Sequence, residues 1–278
     1  MRKTLVLSVI ILILGSLTIT FAQEASKREL KNGVNFIETK VYDKEANRKL
    51  LKLYQGLRVA DVSDGLDYMG LPGVGLVDPA IHPEWEDNQN LSHAICGIAL
   101  TVRYVPTRKS PQPPQDKKFG EWKGNFYGKY SAETFQKIIQ DGHIIMIDDA
   151  QSKDIGSIGS MNILAWHKKG ARGVVTDARA RDTDEIQKQG IPLYLRGKGR
   201  GIRPGRNELE SVNRPIVIGG VTVCPGDVVV ADGDGVVVVP RRVAVEVAEH
   251  AHNILKGDKQ NRKELYESLN MEPDQTIK

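Results

Sequence analysis

The chain has 278 residues, of which 40% are hydrophobic and 27% charged, enough to form one large domain with a substantial core. Its formal net charge is +4, and removal of the first 22 residues, which carry Arg2 and Lys3 and no acidic residue, lowers it to +2. Such a small net charge does not indicate nucleic-acid binding. The two cysteines, Cys96 and Cys224, are too few for a metal cluster, and we expect two small buried residues rather than a disulfide.

Residues 1–22 have the pattern of an export signal. A basic pair is followed by the apolar run Leu5–Leu14 and by Thr20-Phe21-Ala22, a candidate cleavage site. The run is short for a membrane span, although an uncleaved anchor is the alternative. We therefore expect export to a bacterial periplasm, with no stable membrane insertion after cleavage. Residues 23–45 are polar and are predicted to form a loose arm.

The next stretch contains two predicted helices and a strand. The leucine spacing of residues 50–54 favours a helix that ends before Gly56. Val59–Leu66 is predicted as a short strand or turn that leads into a helix, with Ser63 or Asp64 as the N-cap. Asp64 could also be functional, but capping explains it. Gly97–Arg103 alternates between apolar and other residues, as a strand does.

Residues 107–128 are rich in Pro, Lys and Gln and predict a long loop. Such a loop within a compact domain is usually functional or mobile. Its aromatic residues Trp122, Phe126 and Tyr127, with Tyr130 just beyond, could lie over a pocket. An insertion that packs on the protein surface is the alternative.

A helix over residues 132–140 and a strand over His143–Ile147 are predicted next. Asp148 and Asp149 follow the strand. They could influence a metal site at that edge of the sheet, but exposed loop aspartates are the more common case.

The glycine-rich segment Asp154–Asn162 leads into a predicted helix. Met161, Leu164 and Ala165 are spaced as a helix's buried face. The free N–H groups at such a helix start bind anions readily, so the turn at Gly159 is a candidate binding element.

Gly173–Thr176 is predicted as a buried strand, and four charged residues follow it closely. Loops at the carboxyl ends of strands in α/β proteins commonly hold ligands. An arginine can bind a carboxylate through two hydrogen bonds, and an aspartate can hold Mg²⁺. A surface turn with ordinary salt bridges is the alternative. The four residues are Asp177, Arg179, Arg181 and Asp182.

The last third of the chain predicts a basic loop, strands and a helix. Residues 196–206 contain several arginines, including Arg203, and are predicted to be a solvated loop, with attraction of an anionic substrate as the alternative. Val221–Pro240 predicts strands joined by tight turns, and its aspartates lack the glutamate that a calcium loop needs. Arg242–Lys256 predicts an amphipathic helix, with 257–278 as a C-terminal tail.

Several of these motifs resemble one family. Asp177–Asp182, followed by Gly190-Ile191-Pro192-Leu193, resembles the Asp-Gly-x-x-Arg-Asp signature of the RraA-like family. Gly97–Val102 is similar to its Gly-x-Ala-x-Thr-Val motif, and Pro225–Val236 to its Pro-Gly-Asp segment. The family includes class II 4-hydroxy-4-methyl-2-oxoglutarate aldolases and regulators of RNase E activity. The likeness covers about residues 46–256, interrupted by 107–128.

The resemblance implies a fold and an assembly. We expect a single α/β domain, the swivelling β/β/α sandwich of this family, assembled as a homotrimer or hexamer. The pocket is expected at a subunit interface, where a carboxylate of a neighbouring subunit, Asp258 or Glu264, would approach the metal.

The resemblance also assigns the site. Asp182 is expected to bind Mg²⁺ or Mn²⁺, and Arg181 and Asp182 are the expected catalytic residues. The expected substrate-binding residues are Gly159, Ser160, Met161, Asn162 and Arg181.

The implied activity is a metal-dependent lyase for small 2-oxo acids. It would perform retro-aldol cleavage to pyruvate, decarboxylation of oxaloacetate, or both, through a metal-stabilised pyruvate enolate. Ser160 stands where catalytic members commonly carry an acid, and Ala178 where they carry glycine. The alternative is therefore a non-catalytic exported protein that binds a small carboxylate. Regulation of RNase E is disfavoured, because export removes the protein from a cytoplasmic partner.

Overall fold

The computed structural model describes residues 26–115, 118–149 and 154–277, so the predicted export signal lies outside the described residues. Two compact units are distinguished, one up to Glu38 and one over Thr39–Lys278. In the first, Ser26 caps a short helix, α1, none of whose residues is buried. No helix within the described ranges is both long and apolar enough to span a membrane.

The second unit is a mixed α/β domain. With α1 at Lys27–Asn32, the helices are α2 Lys44–Leu53, α3 Val59–Tyr68, α4 Phe119–Lys129, α5 Ser160–Lys168, α6 Thr183–Gln189 and α7 Ala244–Leu269, with 3-10 turns at Thr134–Lys137 and Arg241–Val243. The strands are β1 His82–Pro83, β2 Ile95–Pro106, β3 His143–Asp148, β4 Gly156–Ile158, β5 Ala171–Ala180, β6 Leu193–Lys198, β7 Asn207–Val212, β8 Ile216–Ile218, β9 Val221–Val223, β10 Val228–Asp232 and β11 Gly235–Val239.

The main sheet has the order β1-β6-β5-β3-β2-β10-β11, with β4 beside β5 and β7 beside β2. Strands β2, β3, β5 and β6 run parallel, and β10 and β11 join antiparallel. Strands β8 and β9 form a separate small sheet. Because the central strands are parallel, the residues that follow β3 and β5 lie toward the same edge of the sheet.

Successive side chains of a strand point to opposite faces of the main sheet, and each face packs against a different layer. On one face, Ile98, Leu100 and Val102 of β2 pack in cores that include α2, α3, α5, α6 and α7. On the other face, Ala99 packs in a core with both strands of the small sheet. Small sheet, main sheet and helices form the predicted β/β/α sandwich, and a single α/β domain is confirmed.

The start of α3 differs from the prediction. The helix begins directly at Val59, and the Asp61 carboxylate accepts the Arg58 N–H at 2.9 Å and binds its guanidinium. Neither Ser63 nor Asp64 caps a helix, because both lie inside α3. Asp64 is exposed there, and the first turn is closed by an acid at the third helical position.

Two other predicted helices also differ. Residues 132–140 form only the 3-10 turn Thr134–Lys137, because the backbone is not helical at Glu133 before it or at Ile138 after it. The last helix continues past Lys256 to Leu269, since the residues beyond it are mostly good helix formers.

Part of the predicted loop at 107–128 is helical. In α4, aromatic side chains at three- and four-residue spacing contact each other, with ring centroids 5.7 Å apart for Phe119–Trp122 and for Trp122–Phe126. Phe126 is the buried residue of this helix. Elsewhere, Cys96 and Cys224 are free thiols and only partly buried.

Candidate functional site

Arg181 and Asp182 lie where β5 ends and α6 begins. Asp182 has φ 58° and ψ 35°, a left-handed conformation that aspartate tolerates better than most residues. The Arg181 N–H donates to the Ile158 carbonyl at 2.8 Å. The Arg181 Nε lies 3.8 Å from the Asp182 carboxylate, and both side chains are about 40% exposed. This turn presents one cation and one anion side by side to solvent.

The helix start at Gly159 lies against this pair. A Cβ atom built on Gly159 would lie 2.8 Å from Asp182 Oδ2 and 3.6 Å from Arg181 Nε. The glycine therefore leaves a space beside the carboxylate that any larger residue would fill. The structure thus brings together the two segments that the sequence singled out, while their catalytic and binding roles stay predictions.

The first turn of α5 has free backbone donors. Gly159 provides no capping side chain, and its carbonyl accepts the N–H groups of Asn162 and Ile163. No described residue accepts a hydrogen bond from the N–H of Ser160 or Met161. Such donors, at the positive end of a helix dipole, suit a carboxylate or carbonyl oxygen.

The buried face of α5 was predicted incorrectly. Ile163 and Trp166 point into the core, whereas Met161 and Leu164 are 73% and 41% exposed. The spacing of apolar residues was ambiguous because α5 carries them on more than one side. Two large apolar side chains of α5 consequently lie on the surface, Met161 in its first turn and Leu164 in the next.

A buried network that the sequence did not indicate holds α5 in place. Glu133 accepts from Asn162 Nδ2 at 2.6 Å, from Trp166 Nε1 at 2.9 Å and from Arg203 Nη2 at 3.2 Å. Arg203 is 2% exposed and also donates to the Tyr104 hydroxyl at 2.9 Å. The network fixes the residue that closes the Gly159 turn.

The prediction of a solvated basic loop is therefore wrong for two of its arginines. Arg203 is buried with Glu133, and Arg196 lies on β6, where it binds Asp78 at 2.9 Å and Asp177 at 2.5 Å. Both pairings join residues far apart in sequence, so no local pattern could have identified them.

Asp177 and Arg179 are not part of the site. Strand β5 continues to Ala180, well beyond the predicted end at Thr176. Asp177 is 9% exposed and accepts the Gly219 N–H at 2.8 Å in addition to its ion pair. Arg179 donates to the Lys198 carbonyl at 3.0 Å. Both stabilise the sheet, which leaves Arg181 and Asp182 at its edge.

Asp148 and Asp149 are not exposed loop residues, contrary to the prediction. Asp148 ends β3, and its carboxylate lies 3.4 Å from Arg103 Nε. Asp149 is 1% exposed and accepts from the Ser157 hydroxyl and from Asn207 Nδ2. Burial raises the pKa of Asp149 to about 6, although its hydrogen bonds and Arg203 oppose the shift.

The donor set at Asp182 fits Mg²⁺ or Mn²⁺ better than a soft metal. Within the described residues, no group of three or more His, Cys, Asp or Glu side chains could hold an ion. Zinc takes three or four such protein ligands. Mg²⁺ is commonly held by one or two carboxylates with water and substrate oxygens. The half-exposed Asp182, beside the space left by Gly159, can provide one such carboxylate.

The two C-terminal carboxylates both lie on α7 with partners in the same chain. Asp258 lies 3.1 Å from Arg58 Nη2, and Glu264 accepts from Gln260 at 2.7 Å. Their approach to a neighbouring subunit's metal stays a prediction.

Comparison with known families decides where the chain belongs. The RraA-like model, described as Aldolase/RraA, matches residues 59–238. The chain belongs to the RraA-like family. The match contains Gly159, Arg181 and Asp182, so the candidate site lies within the family's domain.

Curated relatives with this RraA-like region differ in length and name. Protein DlpA of Legionella pneumophila is 28% identical over 68% of this chain and 27% of its own length. A putative 4-hydroxy-4-methyl-2-oxoglutarate aldolase of Halalkalibacterium halodurans is 28% identical over 46% of this chain and 60% of its own length. The chain thus spans between about a quarter and three fifths of these relatives.

The RraA-like fold is also found by comparison with solved structures. An unusual member of the RNase ES inhibitor RraA protein family from Streptomyces coelicolor superposes with a TM-score of 0.62. It is 24% identical, and the match covers 81% of this chain and 99% of that one. At this identity the likeness shows the fold.

Proposed function

We propose that the protein is a divalent-metal-dependent lyase for small 2-oxo acids. It would cleave substrates of the 4-hydroxy-4-methyl-2-oxoglutarate type to pyruvate, decarboxylate oxaloacetate, or both. The observation that carries the proposal is the meeting of the Arg181 guanidinium, the Asp182 carboxylate and the free N–H groups after Gly159. Relatives named as 4-hydroxy-4-methyl-2-oxoglutarate aldolases support it.

The donors of this site suit the common part of both substrates, a carboxylate next to a 2-oxo group. Arg181 can bind the carboxylate with two parallel hydrogen bonds. The N–H groups of Ser160 and Met161 can donate to an oxygen placed over the helix start. Together they would hold the pyruvyl unit beside Asp182.

Both reactions break the bond to that third carbon and leave its electron pair on the pyruvyl unit. Mg²⁺ or Mn²⁺ held at Asp182 would supply a Lewis acid for the 2-oxo oxygen. The positive charge of Arg181 and the α5 dipole stabilise the negative charge that develops there. In the retro-aldol reaction the C4 hydroxyl loses its proton as the C3–C4 bond breaks, and C3 takes a proton from water.

Ser160 supports a second candidate function. Its side chain is 9% exposed, and it cannot supply the charge of the acid found in catalytic members. A protein that kept Arg181 and the α5 donors could bind a small carboxylate without turning it over. This candidate is an exported binding or regulatory protein.

The proposal also includes location and assembly. The basic and apolar pattern of the first 22 residues supports export to a periplasm. The exposed Met161 and Leu164 beside the site support its coverage by a neighbouring subunit in a homotrimer or hexamer.

The test is an assay of the purified protein with Mg²⁺ or Mn²⁺ and a panel of 2-oxo acids, with pyruvate or CO₂ as the readout. We expect saturable turnover that is abolished by a chelator and reduced at least 100-fold in Arg181→Ala. Binding of pyruvate by calorimetry without turnover of any substrate would favour the second candidate. Turnover that is unchanged in Arg181→Ala would contradict both.

A further inference from the structure

A large cavity lies at the opposite end of β5 from the candidate site. Its volume is about 790 Å³, within the range of small-molecule sites. Arg172, the second residue of β5, lines it, whereas Arg181 follows the last residue of that strand. The starts of β2 and β5, the end of β10 and one side of α2 surround it. None of the residues assigned to the candidate site lines it.

The cavity has an apolar floor. Leu51 and Tyr54 contribute from α2 and its end, and Ile95 and Val230 contribute from the sheet. The Tyr54 hydroxyl donates to the Ala244 carbonyl at 2.7 Å, so the ring presents carbon rather than a free polar group. The floor therefore suits an apolar body.

Three cations on its wall form no salt bridge within the described part of the chain. Lys44 and Lys52 stand eight residues apart on α2, and thus on one side of the helix, and Arg172 faces them from β5. Among the described residues, none of the three lies within salt-bridge distance of a carboxylate. Arg172 instead donates to the Cys96 carbonyl at 2.8 Å. These groups can attract a ligand's negative charge.

Four carboxylates on the wall are also without an ion pair. They are Glu86, Asp141, Asp232 and Asp234, and no cation of the described chain lies within salt-bridge distance of any of them. Both oxygens of Asp232 accept backbone N–H groups, which leaves the other three for a ligand. The nearby Arg58 is engaged by Asp61 and Asp258. A purely anionic or purely cationic ligand would meet repulsion here, so the lining favours a ligand that carries both charges.

His93 adds a directed hydrogen-bond donor. The ring is 4% exposed, and its Nδ1 accepts the Asp87 N–H at 3.0 Å. The ring proton of the neutral form therefore lies on Nε2, and no described residue accepts a hydrogen bond from that nitrogen. Because His93 lines the cavity, this N–H is available to a ligand carbonyl.

We propose that this cavity binds a short zwitterionic peptide with apolar side chains. Its carboxylate would lie by Lys52 and Arg172, its ammonium by the free carboxylates, a peptide carbonyl by His93 and its side chains on the apolar floor. A dipeptide or tripeptide fits the volume, whereas a single small amino acid would leave much of it to water. The site is independent of the proposed lyase activity.

Calorimetry with the full protein and Leu-Leu as the probe tests the proposal. We expect saturable binding with one site per chain. N-acetyl-Leu-Leu and Leu-Leu amide, which each lack one charge, should bind at least tenfold more weakly. Lys52→Ala and Arg172→Ala, both at exposed positions, should each weaken binding of Leu-Leu about tenfold, the effect of one modest ion pair.

The matched control is Lys49→Ala, a lysine on the same helix that does not line the cavity. It should bind Leu-Leu as the wild type does, and so should Arg181→Ala. Absence of saturable binding, equal affinity for the blocked peptides, or equal losses in Lys49→Ala and Lys52→Ala would overturn the proposal. If Arg172→Ala does not fold, the comparison of the two lysine variants decides.

Discussion

Glu133 and Arg203 show how buried residues behind the site set its geometry. Their ion pair is almost completely buried, with side-chain exposures of 13% and 2%. Removing one partner of a buried ion pair leaves the other charge uncompensated, and the stability lost is much larger than the stability that the pair contributes. Glu133 also fixes the Asn162 side chain, so its loss should loosen the turn at Gly159.

We predict that Glu133→Gln lowers the free energy of unfolding by about 2 to 3 kcal/mol and raises KM more than it lowers kcat. Denaturant unfolding and steady-state kinetics measure the two effects. Glu249→Gln, an exposed change on α7, is the control and should stay within about 0.5 kcal/mol of the wild type. Equal stability of the two variants would contradict the role of the network.

The raised pKa of Asp149 predicts that the stability of the protein depends on pH. Its pKa is about 6 in the folded protein, against the ordinary value of 3.8. Between these values the folded state binds more protons than the unfolded state, so stability falls as pH rises, by up to about 3 kcal/mol in total.

Asp149→Asn stays neutral throughout, so this contribution should be missing from its stability curve. Denaturant unfolding of both proteins from pH 4 to pH 7 provides the comparison. We expect the wild type to lose stability relative to the variant as pH rises through this window. Parallel curves would show that Asp149 does not titrate as proposed.

At the scale of elements, local patterns predicted strands better than helices. The alternation in β2 and the short valine-rich runs of β10 and β11, bounded by turn residues, identified strands, because both signals lie within a few consecutive residues. The face of α5 depends on partners far along the chain. The same holds for Asp177, whose partners Arg196 and Gly219 kept β5 extended past its predicted end.

The candidate site was partly predictable for the same physical reason. Arg181, Asp182 and Gly159 lie in short local motifs, so the sequence contains them directly. Their mutual contact depends on the parallel pairing of β4 with β5, and no strand was predicted at Gly156–Ile158. Glu133 and Arg203 were missed because they are 70 residues apart and nothing local marks either as buried.

We predict that Gly159→Ala abolishes most activity while the protein stays folded. The new methyl group would lie 2.8 Å from Asp182 Oδ2 and displace the carboxylate that is proposed to hold the metal. In assays at increasing Mg²⁺, the concentration that gives half-maximal activity should be at least tenfold higher than for the wild type. Gly124→Ala is the control: it lies in the interior of α4, meets nothing within 4 Å, and should raise stability by about 0.5 to 1 kcal/mol without altering activity. Full activity in Gly159→Ala would argue against a tightly shaped metal position.

At the scale of the whole molecule, the parallel sheet separates two candidate sites. Arg181 and the α5 start lie at the carboxyl edge, and the cavity lined by Arg172 lies at the amino edge. The carboxyl-edge site is shallow in a single chain, because its charged pair is about 40% exposed. A neighbouring subunit that covered Met161 and Leu164 would exclude water and strengthen the charge interactions there.

We predict that Leu164→Lys dissociates the proposed homotrimer or hexamer and lowers kcat/KM at least tenfold without unfolding the chain. Light scattering, circular dichroism and kinetics together test this. Leu53→Lys changes a leucine of similar exposure, 39% against 41%, on a helix away from the site and should keep both assembly and activity. A fully active monomer would show that the site is complete within one chain.

The most direct test of the central claim is exchange of the methyl protons of pyruvate with D₂O, followed by NMR. Pyruvate is the common product, so the measurement does not depend on which larger substrate is used. We predict exchange that requires Mg²⁺ or Mn²⁺, is saturable in pyruvate and disappears in Arg181→Ala and in Asp182→Asn. Exchange no faster than in buffer with metal alone, in a preparation that is folded and oligomeric, would contradict lyase chemistry at this site.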